Sequence, residues 1–125
     1  MNRSKNSWAI KTLERTRSLR LRINALNECE RNEPRLKEDA EFKRELMTSR
    51  SELAGTIKEV RSIMRRMDVP SQQLMAEILF IHGMSPEGAT RSLGLSRSCY
   101  HNRFVKLIGE MDRLREAKGD AGRDA

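Results

Sequence analysis

The sequence predicts an all-α fold in which long N-terminal helices, paired as a hairpin or coiled coil, precede a unit of three further helices. Three observations lead there. Apolar residues recur at helical spacing along most of the 125-residue chain. Prolines and glycines (Pro34, Pro70, Gly83, Pro86, Gly94) punctuate it at helix-length intervals. Charged residues make up 34% and aromatic residues only 4%, whereas an average domain is about 25% charged. Such a chain cannot fill one broad core, and narrow apolar stripes on elongated helices suit it better.

From about Ser7 to Cys29 there is no Gly or Pro, and Leu19, Ile23 and Leu26 follow an i, i+4, i+7 pattern that Trp8 and Thr12 continue backwards. This is a first helix with a thin apolar seam. Pro34 ends it, because a proline drives the preceding residue out of the helical region. A second helix is expected from near Arg35 to Met67. Leu46, Leu53, Val60 and Met67 recur every seven residues, with Phe42 and Ile63 on the companion positions. Ser49 and Thr56 interrupt that companion row, so the seam is imperfect. About four heptads still require a partner helix, either the first helix folded back or a second copy of the chain. Phe42, Leu46, Leu53, Val60, Ile63 and Met67 are therefore the expected oligomer or partner seam.

A third helix is expected after Asp68-Val69-Pro70, with Ser71 as N-cap, an apolar face of Leu74, Met75, Ile78, Leu79 and Ile81, and Gly83 at its end. Ser85-Pro86-Glu87 opens a short fourth helix with a cap, a proline at the first helical position and an acid in the first turn. It stops at Gly94. Ser96 caps a longer fifth helix whose inner face carries Tyr100, Phe104, Leu107, Ile108, Met111 and Leu114. The methionines Met64, Met67, Met75 and Met84 read as core filling and Cys99 as a small packing residue. The chain thus divides into a paired-helix segment, 1–68, a three-helix segment, 69–117, and a polar tail, 118–125, expected to be disordered.

Charge is unevenly placed. The formal total is +7. Residues 1–27 hold seven basic residues against Glu14 alone, 28–59 are nearly balanced, and 88–108 contain Arg91, Arg97, Arg103 and Lys106 with no acid. Two basic ends imply an acidic partner such as nucleic acid or an acidic protein surface.

Several classes are excluded on this basis. The longest apolar run, Ile78 to Ile81, is far short of the ~20 residues that span a bilayer, and no secretory signal is evident. Two cysteines and two histidines show no metal-ligand spacing. No phosphate-binding glycine loop, activated nucleophile or carboxylate pair is present. A cytoplasmic, non-enzymatic protein without metal or cofactor is expected, with no membrane partner.

Residues 84–108, MSPEGATRSLGLSRSCYHNRFVKLI, read as helix, three-residue turn and helix, that is, a helix-turn-helix. Gly94 supplies the left-handed backbone, Leu95 plugs the junction and Ser96 caps the next helix. Thr90 stands where the helices need a small residue between them, and Tyr100 supplies the bulky apolar one. With Tyr100 and Phe104 inward, Ser96, Arg97, Ser98, His101, Asn102 and Arg103 remain on the first exposed turns, flanked by Arg91 and Lys106. Arg suits guanine, Asn suits adenine, and Ser or His suits bases or phosphates. These eight residues are the expected DNA-binding set, on a helix, 97–116, entering the major groove.

The stretch LGLSRSCYHNRFVKLIGEM resembles the C-terminal helix-turn-helix of sigma-factor region 4-like transcriptional regulators of phages, above all the ArpU and RinA class. Leu93, Gly94, Leu95, Ser96, Arg97, Ser98, Tyr100 and Arg103 occupy that pattern, and Leu74–Gly83 is similar to the helix before it. The resemblance covers 71–116. It implies a sequence-specific regulator binding double-stranded DNA, of phage or prophage origin, with RNA polymerase or a homodimer partner as further possibilities. The alternatives are a DNA-packaging subunit resembling small terminases, or a coiled-coil adaptor of the transcription machinery. The packaging family usually places its DNA-binding domain first, whereas here it is last.

Overall fold

A computed structural model of the chain describes residues 6–124, with side chains through Ala117. Among the described residues every regular element is helical, so the fold is all-α. Helix α1 (Trp8–Asn32) is followed by a 3₁₀ turn (Pro34–Glu38) and by α2 (Ala40–Met64). Helix α3 (Pro70–Ala76) runs on into a π turn (Glu77–Ile81); α4 (Pro86–Leu93) and α5 (Arg97–Asp124) complete the chain. The expected tail, 118–125, lies outside the described side chains.

Helix α2 begins later than expected. Pro34 sets the 3₁₀ turn, and Asp39 then caps α2 by accepting from the Phe42 amide at 2.9 Å. Helix α2 packs along α1 of the same chain, and its C-terminal heptad residues also enter the common core. Leu46, Val60, Ile63 and Met67 are buried, Phe42 and Leu53 half-buried. Ser49 and Thr56 are buried in the same row, and the Thr56 hydroxyl is satisfied by the Glu52 carbonyl at 2.9 Å. Thr16 on α1 likewise donates to the Leu13 carbonyl at 2.8 Å. Small hydroxyl residues thus let the helices approach without orphaned polar groups. Met67 lies beyond the end of α2, in the turn that the Gln73 side chain fixes by donating to the carbonyls of Met64 and Met67 at 3.0 and 2.9 Å.

Helix α3 corrects the expected cap. It begins at Pro70 with Val69 as N-cap, and Ser71 is exposed on its first turn. The fixed φ and absent N–H of proline suit the first helical position, which leaves Ser71 already inside the helix. At the far end the π turn closes with the His82 amide on the Glu77 carbonyl at 3.0 Å, and Gly83 turns the chain at φ 67°.

The core sits where all five helices converge. Ala9 and Leu13 of α1, Val60 to Met67 at the end of α2, Met75 to Ile81 of α3, Ala89 of α4, and Leu107, Ile108 and Met111 of α5 form one cluster around Phe80, which is 0% exposed. The segments 1–68 and 69–117 therefore share a core. Polar contacts also fasten α1 to the later helices. Asp112 of α5 accepts from the Ser7 hydroxyl at 2.7 Å and from the Ala9 amide at 2.8 Å, while Arg115 lies 4.9 Å from the Trp8 ring centroid. Arg20 donates to the Phe80 carbonyl at 3.1 Å and to that of Ile81, capping the end of the π turn. Partial burial lowers the Arg20 pKa from the ordinary arginine value, through loss of solvation. A side chain at Gly83 would strike this group, since a Cβ there falls 2.7 Å from Arg20 Cδ.

Asp112→Ala removes the acceptor that satisfies the first turn of α1 and is expected to destabilise the protein by about 1–2 kcal/mol. Asp112→Asn keeps one acceptor oxygen and loses less. Urea unfolding followed by circular dichroism measures both, and an unchanged midpoint for Asp112→Ala contradicts this role.

Candidate nucleic-acid interface

The corner between α4 and α5 is built by local chemistry. Ser85 accepts from the Gly88 amide at 3.1 Å to start α4. Gly88 itself is required by space, since a Cβ there would lie 2.9 Å from Met84 Cγ. Gly94 adopts the left-handed conformation, φ 65° and ψ 36°, and the Leu95 amide bonds back to the Thr90 carbonyl at 3.0 Å. Ser96 accepts from the Cys99 amide at 3.2 Å, starting α5.

Burial at this corner differs from expectation at one position. Thr90 is half-buried on the cleft that Arg97 and Tyr100 of α5 also line and bonds to the Pro86 carbonyl at 2.6 Å, while Ala89 beside it is fully buried in the core. Cys99 is exposed, not packed; with Arg103 and Lys106 at i+4 and i+7 from it, it stands on the solvent side of α5. Tyr100 and Phe104 are half-buried and stack with ring centroids 6.0 Å apart.

Arg91, Ser96, Arg97, Ser98, His101, Asn102, Arg103 and Lys106 are all exposed. None of the four cations among them enters an ion pair among the described residues. Helical spacing distributes them over three directions. Ser98, His101 and Asn102 look outward. Arg97 leans into a shallow cleft between the helices, which Pro86, Glu87, Thr90, Arg91 and Tyr100 also line. Arg103 and Lys106, together with Val105, Gly109, Glu110 and Arg113, border a depression reaching the start of α3 at Val69, Ser71 and Gln72. The set is thus an outward face with a cationic flank on either side.

The outward face has one member outside the expected set. Val105 is 48% exposed and completes the i, i+3, i+4, i+7 series begun by Ser98. That spacing is readable in the sequence, but an apolar side chain carries no hydrogen-bonding signal.

The basic content of α1 contributes less than its count suggests. Arg20 is engaged inside the fold and Arg15 lies 3.8 Å from Glu52, while Lys11 and Arg22 are exposed. Arg3 and Lys5 lie outside the described residues. Arg17 is half-buried and close enough to Tyr100 to act on its charge.

No group of residues able to hold a metal ion occurs among the described residues, and no helix among them is long and apolar enough to cross a membrane. Compared with family models, with curated proteins and with solved structures, the chain matches none.

Tyr100 is the single tyrosine, and its hydroxyl pKa is raised above 10.0 by burial, with Glu87 adding to the shift and Arg17 opposing it. Its neutral form is therefore favoured in the folded chain. The associated stability is fully present below the unfolded value and is lost as pH rises through the folded one. Tyrosinate absorbance should titrate at higher pH in the folded protein than in urea, and Tyr100→Phe should reduce the alkaline loss of stability. Identical titrations in both states would contradict this packing.

Proposed function

We propose that this protein is a sequence-specific double-stranded DNA-binding transcriptional regulator that reads the major groove with the first turns of α5. One observation carries the proposal. The start of α5 presents Ser98, His101 and Asn102 outward from a capped, glycine-turned corner, between flanking cations that have no ion-pair partner among the described residues. Base-edge donors and acceptors between two phosphate-binding flanks is the division of labour that groove recognition requires.

The roles separate by direction. Asn102 hydrogen-bonds an adenine edge in the major groove, and Ser98 and His101 contact neighbouring bases. Arg91 and Lys106 contact phosphates on either side, while Arg97 reaches a phosphate or a guanine from the cleft beside α4. The resemblance to phage regulators of the sigma-factor region 4 type favours a phage or prophage source and a place of action in the bacterial cell. The heptad seam already has α1 as its partner within the chain, so a homodimer, where one forms on DNA, uses another surface.

Selection of bound duplexes from random DNA tests the proposal. A defined site is expected, with Asn102→Ala weakening it by about 1–3 kcal/mol. Lys106→Ala should instead weaken all sequences alike and reduce the salt slope by about 1. Failure to retain any duplex, or full affinity in Asn102→Ala, would contradict the proposal. Assembly into a large ring in solution would favour DNA packaging instead.

A further inference from the structure

Among the apolar side chains of α5, Val105 stands apart. Leu107, Ile108 and Met111 are buried in the core, and Phe104 packs against it. Val105 leaves 48% of its surface to solvent, in a stretch of sequence with no acid from Gly88 to Gly109. Neither the fold nor the capping of the corner uses it.

Its position is specific. Ser98, His101, Asn102 and Val105 fall at i, i+3, i+4 and i+7, the spacing with which a helix lying in the major groove presents one line of side chains to successive bases. One turn further along the same face stands Gly109, where a Cβ would meet only Arg113 Nη1, at 3.7 Å. Arg113, whose guanidinium reaches this position, and Glu110 border the same depression as Val105, and the valine stays open to solvent beside them. Val69, also exposed, lies across the depression that Val105 itself lines. Two valines are too little apolar surface for a stable protein interface, which needs roughly 1,000 Å² in total.

The major groove offers one apolar feature, the 5-methyl group of thymine. We propose that Val105 is a specificity-determining residue that packs on a thymine 5-methyl group beside the base contacted by Asn102. This assignment rests on the DNA-reading role of α5. The contact removes methyl and valine surface from water, and cytosine or a demethylated base in that place leaves Val105 facing solvent.

The test uses the full chain and the duplex it selects. Each thymine of the site is replaced in turn by deoxyuridine, which has the same hydrogen-bonding edge but no methyl group. At one thymine the replacement should weaken the unaltered protein by about three- to tenfold. Val105→Ala should bind both duplexes equally, and about as weakly as the unaltered protein binds the deoxyuridine form. Val105→Thr, which keeps one methyl group, should retain part of the discrimination. Indifference of the unaltered protein to every thymine methyl, or an equal thymine-to-deoxyuridine ratio in Val105→Ala, would overturn the Val105 assignment while leaving DNA recognition standing. If no defined site is selected at all, both fall together.

Discussion

The carboxylate of Asp112 meets the first turn of α1, accepting from the Ala9 amide and the Ser7 hydroxyl, and the placement of every other helix depends on that closure. A helix start leaves several N–H groups without partners inside the helix. Here one of those groups is satisfied by α5, 103 residues away in sequence. The contact brings Ala9 and Leu13 into the cluster of Phe80, Leu107 and Met111, so that α1 forms one wall of the core the later helices share. Arg20, three turns along α1, then caps the end of the π turn. Helix α1 is thus both a wall of the core and a brace for the segment leading into α4.

This arrangement determines what α5 can offer. Its later turns are held by Asp112, by Arg115 over Trp8, and by Arg66 donating to the Leu114 carbonyl at 2.7 Å. Its earlier turns are held on one side only, through Tyr100 and Phe104, so the opposite side projects from a rigid support. A reading element gains precision from such support, because a side chain on a braced helix loses less freedom on binding than one on a loop. The unpaired cations beside it cost little while solvated and become useful when a polyanion approaches.

Sequence made legible whatever chemistry is local. Ser85, Gly94 and Ser96 declare their roles through residue type and spacing, and the all-α class followed from periodicity. The heptad row in α2 was visible, but its partner was not, since helical pairing within or between chains looks the same in sequence. Ser71 is a good cap by type, yet Pro70 itself begins the helix, and the 3₁₀ turn that Pro34 starts moves the cap of α2 on to Asp39. The contacts of Asp112 with Ser7 and of Arg20 with Phe80 span more than fifty residues and leave no local signature. At the corner, Thr90 lines the cleft beside Arg97 and Tyr100, as its spacing from Gly94 indicates, whereas the full burial of Ala89 in the core has no local signal. The exposed set was readable as a group, yet its division into an outward face and two flanks needed the directions of α4 and α3 around α5.

The central claim is that DNA approaches the outward side of α5 and leaves the α1–α2 pair untouched. Amide chemical-shift mapping of the nitrogen-labelled chain, titrated with duplex DNA at low salt, addresses it directly. The account predicts that the largest shifts fall between Arg91 and Lys106, with α2 unchanged from Ala40 to Met64. Shifts concentrated in α1 or α2, with the start of α5 silent, would contradict it.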